Sequence, residues 1–397
     1  MSLRNSRAVA VALVTFATFT DIVAYSIAVP VLPDLSRRLG ASPTIIGFLF
    51  ASFGVTLLTV SIPMGAVSDR IGRRGPMVGG LIILAGSTLL FAYSDGLAWL
   101  FAARLIQGAA DAVTWVVGFA LIADLYGDEE RGRVSGIVMS GTSVAFMVGP
   151  SLGGWLYELG GIRMPFLVVT ALAAIATAGF LWLEVPARHA PHDPVPIRVV
   201  VRTPSIASCA ISVIALAATL AMLEPVMALH LNARLGVGPA RIGLIFGIAA
   251  VATAILNPIY GRLADHFGAR QLTIIGLVVS AAFLLVLPHA WNFPSAVVFY
   301  VLQAALAALA ITPSLAYMGH ATSQAGLGSF GVSYGVYNVA WGVGILGGPA
   351  LGGFLYERMG FAGLTLLWSP VVIVVTLALA RVRSDVRLKL DTTTART

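Results

Sequence analysis

The sequence predicts an all-α membrane protein of twelve transmembrane helices, in two six-helix halves related by a parallel pseudo-repeat. Three observations carry that prediction. Of 397 residues, 58% are hydrophobic and only 10% charged, with a mean hydropathy of +0.93; an ordinary soluble domain is about 25% charged. Twelve stretches approach the roughly 20 apolar residues that a bilayer core asks of a helix. Two signature segments also recur about half a chain apart.

The stretches fall at 8–32, 44–66, 76–93, 98–124, 134–157 and 164–184, then at 205–231, 240–262, 272–288, 294–320, 330–356 and 362–381. The first follows Arg4 and Arg7 and bears Asp21 in its middle. It is too long for the apolar core of a signal peptide and reads as a retained span. Asp34–Pro43 reads as a short loop to the second span. Seventeen of the 24 basic residues fall on the side of the termini if the chain starts in the cytoplasm, six fall outside, and Arg104 lies within a span. Arginine-rich cytoplasmic loops set orientation, so both termini are expected inside a cell (inner) membrane.

Gly65-Ala-Val-Ser-Asp69-Arg70-Ile-Gly72-Arg73-Arg74 matches Gly261-Arg-Leu-Ala-Asp265-His-Phe-Gly268-Ala-Arg270, 196 residues on. Gly149-Pro150-Ser-Leu-Gly153-Gly154-Trp-Leu-Tyr157-Glu158 matches Gly348-Pro349-Ala-Leu-Gly352-Gly353-Phe-Leu-Tyr356-Glu357, 199 residues on. Two halves repeated in one orientation are a plan of secondary transporters, with the substrate between them. The expected division is a first half at 1–184, a Pro-rich cytoplasmic linker at 185–204, a second half at 205–381 and a tail at 382–397.

Other classes are excluded by residue type. Lys389 is the single lysine and precedes Leu390, so no phosphate loop ending in Lys-Ser/Thr exists. Cys209 is the single cysteine, which removes disulfides and cysteine metal sites. The histidines are scattered without metal spacing, so no catalytic or metal centre and no cofactor is expected. The net charge of +7 reflects the arginine-rich face rather than nucleic-acid binding. Gly342-Val-Gly344-Ile-Leu-Gly347 fits a dinucleotide fingerprint but lies in an apolar span without a preceding strand.

The chemistry concentrates in the few charges inside spans. A carboxylate at mid-span costs about 2.5–3.5 kcal/mol on insertion scales and is a functional candidate by default. Asp21 lies about 20 Å into the first helix at 1.5 Å per residue. Apolar surroundings disfavour its charged form, and a cationic amine beside it favours that form and drives the proton off. The alternative is a carboxyl bonded to a neighbouring Ser or Thr for packing alone. Glu224, before Pro225 in the seventh span, gives the second half its own acid. Arg104 and Asp111 share a face of the fourth helix two turns apart. Their repeat counterparts are Tyr300 and Ala307, while Gln107 retains Gln303. Asp111 is either an added proton site or a partner that neutralises Arg104.

The Gly65–Arg74 segment resembles the loop signature of the major facilitator superfamily. Arg104-Leu-Ile-Gln107-Gly108 and Gly149–Gly154 resemble the fourth- and fifth-helix motifs of its drug:proton antiporter branch. Asp21 through Pro30-Val-Leu-Pro33, Gly47–Ser52, Asp128–Gly132, Ala221-Met-Leu-Glu224-Pro225 and Tyr334–Ala340 look like the vesicular monoamine transporters. That resemblance implies a major facilitator fold and exchange of cytoplasmic amines for protons, with Asp21 and Glu224 facing the amine. It implies that Arg104 tunes a neighbouring carboxyl. The chain departs from the pattern at Phe53, where the family has a lysine, and at Ile311 and Asn338, where it has acids. Proton coupling is then carried by fewer acids or shifted to Asp111. No Asn-x-Ser/Thr acceptor occurs and the first loop is short, so the chain looks like a compact prokaryotic relative.

The resemblance also assigns walls and gates. Tyr25, Phe53, Trp115, Tyr337, Asn338 and Trp341 are expected around the substrate, with rings to stabilise a cation. Gly65, Asp69, Arg70, Gly72 and Arg73 are expected to form a latch with Asp124 and the start of the eleventh helix, and Asp265 repeats it. Gly149, Pro150, Gly153 and Gly154 are expected to allow close helix approach. The expected function is a monomeric proton-coupled antiporter exporting lipophilic cationic amines or drugs by alternating access. The runner-up is an exporter of neutral drugs, or a sugar or metabolite carrier, on the same scaffold.

Overall fold

In the computed structural model, helix ends fall where the sequence places Gly and Pro. The structure describes residues 6–184, 203–324 and 330–382; the expected linker and tail lie almost wholly outside them. The first span runs Arg7–Ser26, turns through a 3-10 segment at Val29–Val31 and continues as the helix Leu32–Leu39. The expected loop at 34–43 is therefore mostly helical. Pro30 and Pro33 sit in the first turns of these short segments, where a missing N–H breaks no helix bond. Asp34 pairs with Arg38 one turn on at 2.7 Å, and Gly40 closes the helix at φ 59°, in the left-handed region that glycine adopts at helix ends.

Spans two to six are Pro43–Ile71, Arg74–Ala92, Leu97–Leu125, Asp128–Gly160 and Arg163–Trp182. Spans seven to ten are Pro204–Leu235, Pro239–Phe267, Ala269–Phe283 with a 3-10 extension at Leu284–His289, and Phe293–Gln324. The remaining run, Phe330–Ala380, breaks at Gly360 (φ 69°, ψ −178°) into spans eleven and twelve. Among the described residues, eleven helices are long and apolar enough to cross a bilayer, and the last carries both of these crossings. The turns preserve the repeat: positive φ occurs at Gly40 and Gly236, Gly72 and Gly268, and Gly161 and Gly360. Each pair is separated by one of the two repeat offsets.

Arg74 and its counterpart Arg270 fasten each half in the same way. Arg74 donates to the carbonyls of Phe180, at 3.0 Å, and Leu181; Arg270 donates to those of Leu379, Ala380 and Val382 at 3.3, 3.2 and 2.5 Å. Each ties the start of a half's third span to the end of its sixth. This end of the molecule, where Arg7 and Val382 lie, is the tail end.

The two halves meet closely at the opposite, far end. A Cβ built on Gly47 would lie 2.3 Å from the Pro349 carbonyl, and one on Gly353 2.3 Å from the Pro43 carbonyl. The matching crossing of spans five and eight places Gly243 and Gly154 so that a Cβ would lie 2.4 Å from the Pro150 and Pro239 carbonyls. Only glycine permits helix backbones to approach so closely. Gly149 and Gly153 serve the same purpose within the first half, against Ser26 and Ile27 of the first span.

Candidate functional site

Two buried polar clusters occupy the apolar interior. In the first, Asp21 and Asp111, 1% and 5% exposed, bring their carboxyl groups within hydrogen-bond reach of each other. The Thr114 hydroxyl donates to Asp21 Oδ2 at 3.0 Å, and the Trp115 side chain borders both acids. Asp21 Oδ1 is buried without a hydrogen-bond partner. Thr114 lies one turn beyond Asp111, so the fourth helix presents acid, hydroxyl and indole together to the first.

The second cluster surrounds Arg104, which is fully buried. Its guanidinium lies over Phe50, Phe91 and Tyr25 at 4.3, 5.2 and 5.6 Å from their centroids. It donates to the Gln107 amide oxygen at 2.9 Å and to the Tyr25 carbonyl at 3.3 Å. A desolvated cation–π contact contributes about 2 kcal/mol, whereas burying an isolated ion costs several. Glu224 of the seventh span lies near enough to interact electrostatically with Arg104, Tyr25 and Tyr300, but among the described residues no ion pair joins it to Arg104. Tyr25 and Glu224 are neighbours, yet the Tyr25 hydroxyl closes no hydrogen bond and Glu224 Oε2 has no partner. Pro225 leaves the seventh helix continuous from Pro204 to Leu235.

The expected site residues thus separate into groups. Tyr25 and Phe53, whose rings lie 5.0 Å apart, are both buried, and of the two it is the Tyr25 ring that lies beside the Arg104 guanidinium. Trp115 is half-buried and stacks on Phe119 at 5.7 Å. Across the molecule, Tyr337 and Trp341 stack at 6.1 Å and Asn338 is exposed; the Tyr337 hydroxyl lies 3.0 Å from Ser314 Oγ. Asp111 faces Asp21, and among the described residues no ion pair joins it to Arg104.

At the tail end, Arg73 Nε donates to Asp124 at 2.7 Å and Nη1 to Ser68 at 2.7 Å. Its ion pair with Asp69 is 2.6 Å, with the Asp69 side chain 63% exposed. Burial disfavours the Arg73 charge, but Asp124 and Asp69 outweigh it and raise the pKa. Arg70, Asp265 and the Gly72 turn are exposed or half-exposed, and Gly65 makes only ordinary contact with Val116. The eleventh helix's expected partner segment for Asp69 includes 325–329, outside the described residues. Phe50, Phe91 and Thr114 escaped sequence reasoning. The two Phe look like any apolar residue of a span, but Thr114 was readable from its one-turn spacing.

The fold and these paired motifs define a secondary transporter rather than an enzyme. The family model described as Major Facilitator Superfamily matches residues 14–224 and 209–396, and the chain belongs to that superfamily. It is 29% identical over 319 residues to the synaptic vesicular amine transporter of Homo sapiens, covering 80% of this chain and 62% of that protein. It is 30% identical over 407 residues to the probable vesicular acetylcholine transporter-B of Danio rerio, covering 97% and 81%. The chain thus spans a little under two thirds of the length of the amine transporters it matches. A bacterial homologue of the human lysosomal transporter Spinster, inward-facing and occupied, shares the fold at a TM-score of 0.80 and 15% identity, covering 95% of this chain and 97% of that one.

Proposed function

We propose that this transporter is a proton-coupled antiporter that exports lipophilic cationic amines or drugs across the cell membrane, with Asp21 and Glu224 as its cation-binding carboxylates. The observation that carries the reading is the pair of buried acids, one in each half, each with an oxygen that no donor satisfies. An unpaired buried acceptor is costly, and a cation at the site removes that cost. The amine-transporter relatives support the same substrate class.

The arginine distribution supports a cytoplasmic tail end, which makes the far-end seal the outer gate and this conformation one open to the cytoplasm. A cation entering from that side pairs with Asp21 and Glu224 as a proton leaves. Rocking of the halves breaks the glycine crossings, and protons from outside displace the cation. The Arg73–Asp124 pair lies wholly within the first half and travels with it, while exposed Asp69, paired with Arg73, would face the second half when the tail end closes.

Thermal shift of the purified protein with tetraphenylphosphonium, dopamine and chloramphenicol separates the readings. The two cations should stabilise wild type, by about 2.7 kcal/mol at a hundredfold excess over Kd, and should lose this effect in Asp21→Asn and Glu224→Gln. Stabilisation by chloramphenicol alone, indifferent to both substitutions, would establish the neutral-drug carrier instead.

A further inference from the structure

We propose that Asp21 and Asp111 act as one acid, sharing a single proton between the first and fourth spans, and that an entering cation takes that proton's place. This deepens, and rests on, the amine-antiport reading. The argument starts from the donors available. Thr114 supplies one hydroxyl, to Asp21 Oδ2, and Trp115 borders both groups. Asp21 Oδ1 has no donor. No cation compensates the pair: Arg104 is committed to Gln107 and the Tyr25 carbonyl, and among the described residues no ion pair reaches either aspartate. The Thr114 hydroxyl, 3.0 Å from both Asp21 Oδ2 and the Asp111 carbonyl, sets the Asp21 carboxyl against the Asp111 turn. Two neighbouring carboxylates in an apolar interior do not both remain charged, and a single proton between them is the stable arrangement.

The repeat supports treating the two as a unit. At the offset of 196, which aligns the helix-closing Gly40 with Gly236, their counterparts are Ala217 and Ala307. Both positions are acidic in one half and both are alanine in the other. Charge also balances. The singly protonated pair carries one negative charge; a bound monocation with the proton released leaves that charge unchanged. The displaced proton goes to solvent, and half-buried Trp115 is the member of the cluster with exposed surface. Glu224, on the seventh span in the other half, is a separate acid.

The test counts protons released when purified protein binds tetraphenylphosphonium, a permanent cation without a proton of its own, in weak buffer near neutrality. Wild type should release about one proton per bound cation, and Asp111→Asn should bind the cation with that release at least roughly halved, because a lone carboxyl loses its proton at lower pH than one beside a second carboxylate. An undiminished release from Asp111→Asn overturns the shared proton. Failure of wild type to bind the cation overturns the amine-site reading instead. If Asp111→Asn does not fold, infrared difference spectra of wild type decide: a carboxylic-acid band should vanish on binding, and its persistence contradicts the proposal.

Discussion

The backbone N–H of Thr44 donates to the Glu357 carboxylate at 2.9 Å, joining the start of the second span to the end of the eleventh. A helix start exposes unsatisfied N–H groups and favours negative charge, so this contact adds charge to the glycine crossing beneath it. At the other crossing the matching helix start reads Gly238-Pro239-Ala240, without the hydroxyls of Ser42 and Thr44, and among the described residues no hydrogen bond ties the counterpart Glu158 to it. The far-end seal is symmetric in packing and asymmetric in charge.

Glu357→Gln should therefore loosen the seal without unfolding the protein. Spin labels at positions 158 and 359, both exposed, with Cys209→Ser, should show a distance distribution moved to longer values. An unchanged distribution would mean that the glycine packing alone holds the gate.

Gly47→Val should act more strongly. Its Cβ would meet the Pro349 carbonyl, part of the backbone, which cannot turn aside as a side chain can. The far end should remain open, with outward accessibility of introduced cysteines raised and transport lost. Normal turnover in this variant would show that the crossing does not close in the cycle.

The Arg73–Asp124 pair, each side chain 14% exposed, should behave as a half-buried ion pair. Arg73→Ala should lower thermal stability by on the order of 1–3 kcal/mol. The double exchange Arg73→Asp with Asp124→Arg should recover part of it. Absence of recovery would assign the loss to Ser68 or Asp69 rather than to Asp124.

Much of the fold was legible because bilayer crossing constrains composition: spans, repeat and turn glycines follow from apolar length and Gly/Pro placement. The helix at Leu32–Leu39 was not, since a short polar segment with a proline in its first turn resembles a loop until its Asp34–Arg38 pairing and Gly40 cap are considered. In the site, Asp21, Asp111, Arg104 and Glu224 stood out because charge is rare in spans. Their grouping did not. Which acid faces which depends on packing between helices distant in sequence, so the choice between Asp21 and Arg104 as the neighbour of Asp111 required coordinates. Tyr25 was expected at a cavity wall, and its ring lies beside Arg104. The sequence distinguishes a ring that meets substrate from one that encloses an arginine only through the burial that packing creates.

Proton-coupled amine transport is measured most directly in proteoliposomes carrying a pH gradient, acid inside, with radiolabelled dopamine outside. Wild type should accumulate dopamine above its outside concentration, dissipation of the gradient should release it, and Asp21→Asn should abolish the accumulation. Equal uptake with and without the gradient, or accumulation that survives Asp21→Asn, would contradict the account.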